Sequence, residues 1–232
     1  MVCWRLSCGS IMVYTKKGGF YFPVSFNYCI FAAMIDEKLN KEKWSENVII
    51  VDADYIDSVA FDLTVNFERM LNRRIPKADM ARWIECVALD GGLRAGNHET
   101  QVVLIHRKEK ASMDYFVPSD YETELNGKAF CSSLGEFVVS SFPVEDVVSG
   151  SDFFLDVLNM VCAQKDVKRV MVVPNAEDQA LYDDMRMALR RVDDDKRVTV
   201  LAMQPMMGGN FRQEILGYSI MNALGIRAEE LK

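Results

Sequence analysis

Seven residues, Val48-Ile49-Ile50-Val51-Asp52-Ala53-Asp54, constrain this chain more than any others. Four successive branched apolar residues with no polar neighbour predict a strand buried on both faces, the pattern of a parallel sheet. Helical periodicity starts at once after the two acids. Carboxylates at the carboxyl end of such a strand stand where open α/β sheets build their ligand sites.

The rest of the chain predicts more strands of this kind, alternating with helices. Tyr55 to Leu71 places Ile56, Val59, Leu63, Phe67 and Met70 on one helical face. Lys77 to Leu89 reads as a second helix, stopped by Gly91-Gly92. Strands follow at Gln101–Ile105 and at Phe137–Ser141, the latter ended by Pro143, with an irregular stretch between them from Lys108 to Gly135. Ser151 to Gln164 is a helix with Phe154, Leu158, Val161 and Cys162 inward, followed by a strand at Val170–Val173. Glu177 to Val192 is a helix, Val198 to Met203 a strand, and Phe211 to Leu224 a last helix. Strand–helix alternation predicts a single α/β domain over residues 45–225, with a mostly parallel sheet of about five strands and a short tail at 226–232.

Residues 1–44 read as a leader outside this domain. The first thirty-three carry Arg5, Lys16 and Lys17 but no acid, and Met34 is a plausible true start. The apolar part of the leader is too short to span a bilayer. Six cysteines are scattered without a C-x-x-C pair, which speaks against zinc and for reduced, mostly buried thiols in a cytoplasmic protein. The formal net charge of −7 excludes a broad electrostatic grip on nucleic acid and leaves room for a local basic patch. Arg73-Arg74-Lys77 and Arg107-Lys108-Lys110 are the two candidates, the second of them at a predicted strand end.

Acids fall at the predicted strand-to-helix junctions: Asp52 and Asp54 after the first strand, Asp152 at the start of the helix after the third, and Asp178 beyond the fourth. Asp156 lies one turn after Asp152 on the same helical face. Oxygen donors gathered on one sheet edge suit Mg²⁺ or Mn²⁺, ions that activate water and neutralise charge at a phosphodiester. Acids at helix starts also cap free N–H groups, and Asp54, Asp152 and Asp178 suit that role equally well. Asp52, still within the strand, is left over by the capping account.

The order of these elements and acids resembles the NYN domain, a branch of the PIN-like nuclease superfamily. Val51-Asp52-Ala53-Asp54-Tyr55 stands where that family has an acid and, three residues on, an asparagine; Tyr55 replaces the asparagine. Ser149-Gly150-Ser151-Asp152-Phe153 keeps a glycine and an acid but lacks the family's lysine. Pro174-Asn175-Ala176-Glu177-Asp178-Gln179 keeps only the second of two acids. The resemblance implies a three-layer α/β/α sandwich and a divalent-metal-dependent ribonuclease with a weakened site, acting on RNA. Asp52 and Asp152 would be catalytic, and Asp52, Asp54, Asp152, Asp156 and Asp178 would hold Mg²⁺ or Mn²⁺. A non-enzymatic binding or regulatory module on the same fold is the alternative. A further one is a haloacid-dehalogenase-like phosphatase, whose D-x-D motif Asp52-Ala53-Asp54 matches, with Asp52 as nucleophile and Asp54 as acid/base. Gly208-Gly209-Asn210, His98, His106 and the cysteines fit loop and packing roles better than sites.

Overall fold

The structure is a computed structural model that describes residues 4–7, 10–13, 43–145 and 148–231. Two compact units divide the chain, Met1–Lys43 and Trp44–Lys232. In the first, β1 (Trp4–Ser7) and β2 (Ser10–Val13) pair antiparallel. Lys16, Lys17 and Met34, the aromatic residues from Phe20 to Phe31, and Cys3, Cys8 and Cys29 fall outside the described residues.

The second unit is an α/β fold. Its strands and helices are β3 (Asn47–Asp52), α1 (Ala53–Leu71), β4 (Ala78–Asp79), α2 (Met80–Asp90), β5 (His98–Arg107), β6 (Phe116–Val117), β7 (Lys128–Ser132), β8 (Gly135–Val144), α3 (Gly150–Ala163), β9 (Arg169–Val173), α4 (Gln179–Leu189), β10 (Arg197–Ala202), β11 (Arg212–Ile215) and α5 (Leu216–Ala223). A single π turn spans Tyr121–Leu125. The main sheet has seven strands in the order β11-β10-β9-β3-β5-β8-β7. All neighbours run parallel except β7, which pairs antiparallel with β8 at one edge.

The apolar run Val48–Val51 is the central strand of the seven. Val48, Ile49, Ile50 and Val51 are all fully buried, so both faces of β3 are covered. Ile49 and Val51 belong to one continuous core with Trp83 and Ile84 of α2 and Leu216 and Ile220 of α5. Helices α2 and α5 contact each other, as do α3 and α4. On α3, the four residues expected inward are buried, joined by Phe153 and Val157.

Several expectations are corrected. The sheet holds seven strands rather than about five. Phe211 to Leu224 is not one helix, because Arg212–Ile215 pairs in register with Thr199–Ala202 and the helix starts only at Leu216. Pro143 does not end its strand. It lies opposite His106 of β5, beyond Val139, where β7 stops pairing and a missing N–H costs no ladder bond on that side. The irregular stretch contains β6, the π turn and β7. The second helix starts at Met80, since Asp79 accepts from the Arg82 N–H as its N-cap. Met70 points outward at 59 % exposure, because α1 turns its core face through Ile56, Val59 and Ala60. Beyond residue 225, Ile226 is buried, and Glu230 accepts two hydrogen bonds from the Arg73 guanidinium.

The chain runs from β3 outward through β5 to β8, then crosses back to β9 on the other side of β3. Strand order therefore reverses between β3 and β9. At such a reversal the connections leave the carboxyl edge in opposite directions and open a crevice.

Candidate functional site

A cavity of about 520 Å³ opens at that crevice. Its walls come from four strand ends: Asp52 and Asp54 after β3, His106 and Arg107 at the end of β5, Ser151 after β8, and Asn175 with Glu177 after β9. Another hollow of about 420 Å³ lies along α3 and α4 beside Cys162 and Met187 and includes none of the strand-end acids.

Asp52 ends β3 and caps α1, its Oδ1 accepting from the Tyr55 N–H at 2.9 Å. Burial pushes its carboxyl up to about 6, outweighing the backbone N–H groups of Tyr55 and Asp54 that favour the charged form. Asp54 was the expected cap and is not one. Its Oδ2 accepts from the Arg107 backbone N–H at 2.8 Å and pairs with the Arg107 guanidinium at 3.3 Å, while Lys110 stands 3.8 Å from Oδ1. The two acids thus serve different partners, Asp52 the N–H groups of α1 and Asp54 the end of β5.

The remaining expected acids do not join them. Asp152 is exposed in the first turn of α3; the cap there is Ser149, whose hydroxyl accepts from the Asp152 N–H. Asp156, also exposed, follows one turn later. Asp178 caps α4, Oδ1 accepting from the N–H groups of Ala180 and Leu181 and Oδ2 from the Ser151 hydroxyl at 2.9 Å. These bonds hold its carboxyl below the usual range. Neither Asp152, Asp156 nor Asp178 lines the cavity. Among the described residues, no group of three or more His, Cys, Asp or Glu is placed to hold a metal ion. The donor set does not fit the divalent ion that the sequence pattern implies.

Other residues line the cavity that sequence reasoning passed over. Glu177 projects from the loop before α4, its N–H donating to the Asn175 side chain. Tyr55 lies in the first turn of α1. Burial, then the nearby charges of Glu177 and Asp52, push its phenol up to about 12. His106 is 6 % exposed, and its Nδ1 lies 2.9 Å from the Arg107 carbonyl oxygen. A carbonyl only accepts, so the proton sits on Nδ1 and Nε2 is left as a lone pair. Burial lowers the pKa of His106 and keeps the ring neutral. The ring stacks on Tyr121 with centroids 3.7 Å apart.

A third acid on α1, Asp57, is 2 % exposed and accepts from Lys110 Nζ at 2.5 Å and from the backbone N–H groups of Asp114 and Tyr115. It ties the segment after β5 to α1. Of the two basic clusters, Arg107 stands in the cavity wall and Arg73 does not. Arg73 follows the far end of a helix about 28 Å long and pairs with Glu230. His98 begins β5 at the opposite sheet edge. Of the thiols described, Cys162 is buried, Cys86 half-buried and Cys131 exposed. The Gly208-Gly209-Asn210 loop precedes β11 rather than a helix. No helix among the described residues is long and apolar enough to cross a membrane.

Neither a search of curated proteins nor one of solved structures returns a match. Residues 41–231 match a family described only as of unknown function, DUF6621, and the chain belongs to it.

Proposed function

We propose that this chain is a PIN/NYN-like, three-layer α/β/α domain working as a non-enzymatic binding or regulatory module, with its ligand cleft at the carboxyl ends of β3, β5, β8 and β9. The observation that carries this reading is the dispersal of the acids. Asp152 and Asp156 lie exposed outside the cavity, Asp178 is spent on a helix cap, and Asp54 is spent on Arg107. Only Asp52 of the five is left facing the cavity without a cationic partner. Burial raises its carboxyl to about 6 and so leaves it charged at neutral pH, and a single carboxylate is too few oxygens for a preformed divalent-ion site.

The test is a thermal-shift titration with Mn²⁺ and Mg²⁺ beside an RNA hydrolysis assay. The expected result is no saturable metal-dependent rise in Tm and no cleavage. A saturable rise that Asp52→Asn abolishes, together with RNA cleavage, would falsify the reading.

One observation favours a second reading, a weak metal-dependent ribonuclease built on Asp52 and Glu177: both carboxylates line the cavity with Tyr55. RNA is the partner in that reading alone, because a phosphodiester backbone is repelled by an acidic cleft unless cations screen it. The phosphatase alternative requires Asp54 as a free acid/base. Its engagement by Arg107 and Lys110 weighs against that.

A further inference from the structure

Three neighbouring parallel strands each begin with an arginine: β9 at Arg169, β10 at Arg197 and β11 at Arg212. Their registers put all three on one face of the sheet. Arg197 lies opposite Arg169, Arg212 lies opposite Thr199, and Thr199 is two residues on from Arg197. That face is the one α2 covers, because Arg169 Nη1 donates to the Gly91 carbonyl at 2.7 Å. The helix ends there in the Gly91-Gly92 turn, and Arg94 follows, close enough for its charge to act on Arg169. Four guanidiniums therefore gather at the amino edge of the sheet, away from the cleft at the carboxyl edge.

Little in the chain answers their charge. Arg212 pairs with Glu214 through Nε and Nη2. Among the described residues no carboxylate lies within ion-pair distance of Arg94, Arg169 or Arg197. Arg169 is half-buried and fixed by neutral acceptors, Asn47 Oδ1 on Nε and the Gly91 carbonyl on Nη1. Burial first, then the charge of Arg197, pull its pKa down; Glu46 opposes this and Arg94 adds to it. Like charges held this close repel, and an anion among them relieves the repulsion.

A second observation is geometric. Gly92 stands at φ 83°, where a side chain is strained. The spot a methyl group would fill is walled by two guanidinium nitrogens, Arg169 Nη1 at 3.2 Å and Arg212 Nη1 at 3.9 Å. Among the described residues, chain neighbours aside, no other atom comes within 4 Å of it. The glycine thus leaves a notch onto which two guanidinium forks converge.

We propose that this notch binds a dianionic phosphate group, free or carried by a small phosphomonoester, seated beside Gly92 between Arg169 and Arg212 with Arg197 and Arg94 alongside. Guanidinium forks match phosphate oxygens two at a time. A carboxylate brings one charge and two oxygens, enough for a single fork. A phosphate group brings close to two charges and three acceptor oxygens, which answers several guanidiniums at once. A phosphodiester chain is tracked by cations strung along a groove, whereas these arginines surround one turn. The site is separate from the carboxyl-edge cleft, and the proposal stands or falls independently of the reading given for that cleft.

Isothermal titration of the full chain at pH 7.5 and fixed ionic strength tests it, with inorganic phosphate, phenyl phosphate, dimethyl phosphate, acetate and an oligouridylate without a terminal phosphate as probes. Arg197→Gln changes an exposed residue at a strand start, and Arg169→Lys keeps the charge but loses the fork. Lys128→Gln makes the same charge change as Arg197→Gln on the far edge strand, β7, and serves as the control. The expected result is saturable binding of phosphate or phenyl phosphate, at least tenfold weaker for dimethyl phosphate and acetate. That affinity falls at least tenfold in Arg197→Gln and Arg169→Lys and is unchanged in Lys128→Gln. If Arg169→Lys fails to fold, Arg197→Gln alone decides. Tighter binding of phenyl phosphate than of phosphate assigns the site to a phosphomonoester, and the reverse assigns it to the free ion. No saturable binding of either one overturns the proposal. Equal losses in Arg197→Gln and Lys128→Gln reduce the effect to diffuse charge attraction and overturn it too. An oligouridylate that binds more tightly than phenyl phosphate and loses affinity in Arg197→Gln overturns it in favour of a nucleic-acid surface.

Discussion

Replacing Asp52 by Asn stabilises this protein at neutral pH and leaves it unchanged in acid. Burial moves the Asp52 carboxyl from its ordinary value of 3.8 to about 6 in the folded chain. The folded state therefore holds that proton more tightly than the unfolded state does. Stability from this group is fully present below pH 4, falls as the pH rises towards 6, and is flat above. The difference between the two values corresponds to about 3 kcal/mol lost by neutral pH. Asn carries no charge to desolvate, and its side-chain oxygen still accepts from the Tyr55 N–H, so the α1 cap survives. Urea unfolding of both proteins at pH 3.5 and pH 7.5 gives the comparison. The variant should match the wild type in acid and exceed it at pH 7.5 by about 3 kcal/mol. In a domain this size that is roughly 6–12 °C in Tm. A gap that does not change with pH, or a variant less stable at pH 7.5, refutes the reasoning.

Asp57→Ala removes a buried carboxylate that holds the half-buried Lys110 and the backbone N–H groups of Asp114 and Tyr115. It should cost about 3–5 kcal/mol by urea denaturation, the range for breaking a buried ion pair. Asp178→Ala removes the α4 cap and should cost about 1 kcal/mol at neutral pH. Because the Asp178 carboxyl is held low in the folded chain, that gap to the wild type should close as the pH falls through its titration in circular-dichroism melts. Gly135 sits at φ 115° against the His98 carbonyl, where a methyl group has no room. Gly135→Ala should therefore lose more than the roughly 1–3 kcal/mol of backbone strain alone, seen as a lower urea midpoint.

The sheet was legible because its strands are buried on both faces and so read as uninterrupted apolar runs. Val48–Val51 and Val170–Val173 stand in the structure within a residue of where the sequence puts them. The edges were not. β11 reads Arg-Gln-Glu-Ile, with no buried run to announce it, and only its pairing with β10 makes it a strand. The helix that follows supplied the periodicity that masked it. Pro143 misled for a related reason: a proline breaks a strand only where its missing N–H faces a partner. At the site, the sequence places acids at the strand ends but says nothing of which oxygens are already taken. Asp52 rather than Asp54 caps α1, and a serine rather than Asp152 caps α3. Those choices turn on backbone angles at single residues. Glu177 had no motif to flag it. Its standing in the cavity comes from the loop after β9, where Asn175 accepts from its N–H.

The two rims of the cavity are held differently. On one, the clasp between Lys110 and Asp57 rivets the segment after β5 to the helix that starts beneath the cavity floor. Two backbone N–H groups of that segment, Asp114 and Tyr115, donate to the same carboxylate. Across the opening, the Ser151 hydroxyl at the start of α3 donates to Asp178, the cap of α4. Ser151→Ala should therefore loosen the first turns of α3 and α4 and leave the Lys110 side as it is, read as faster amide exchange in those two turns alone.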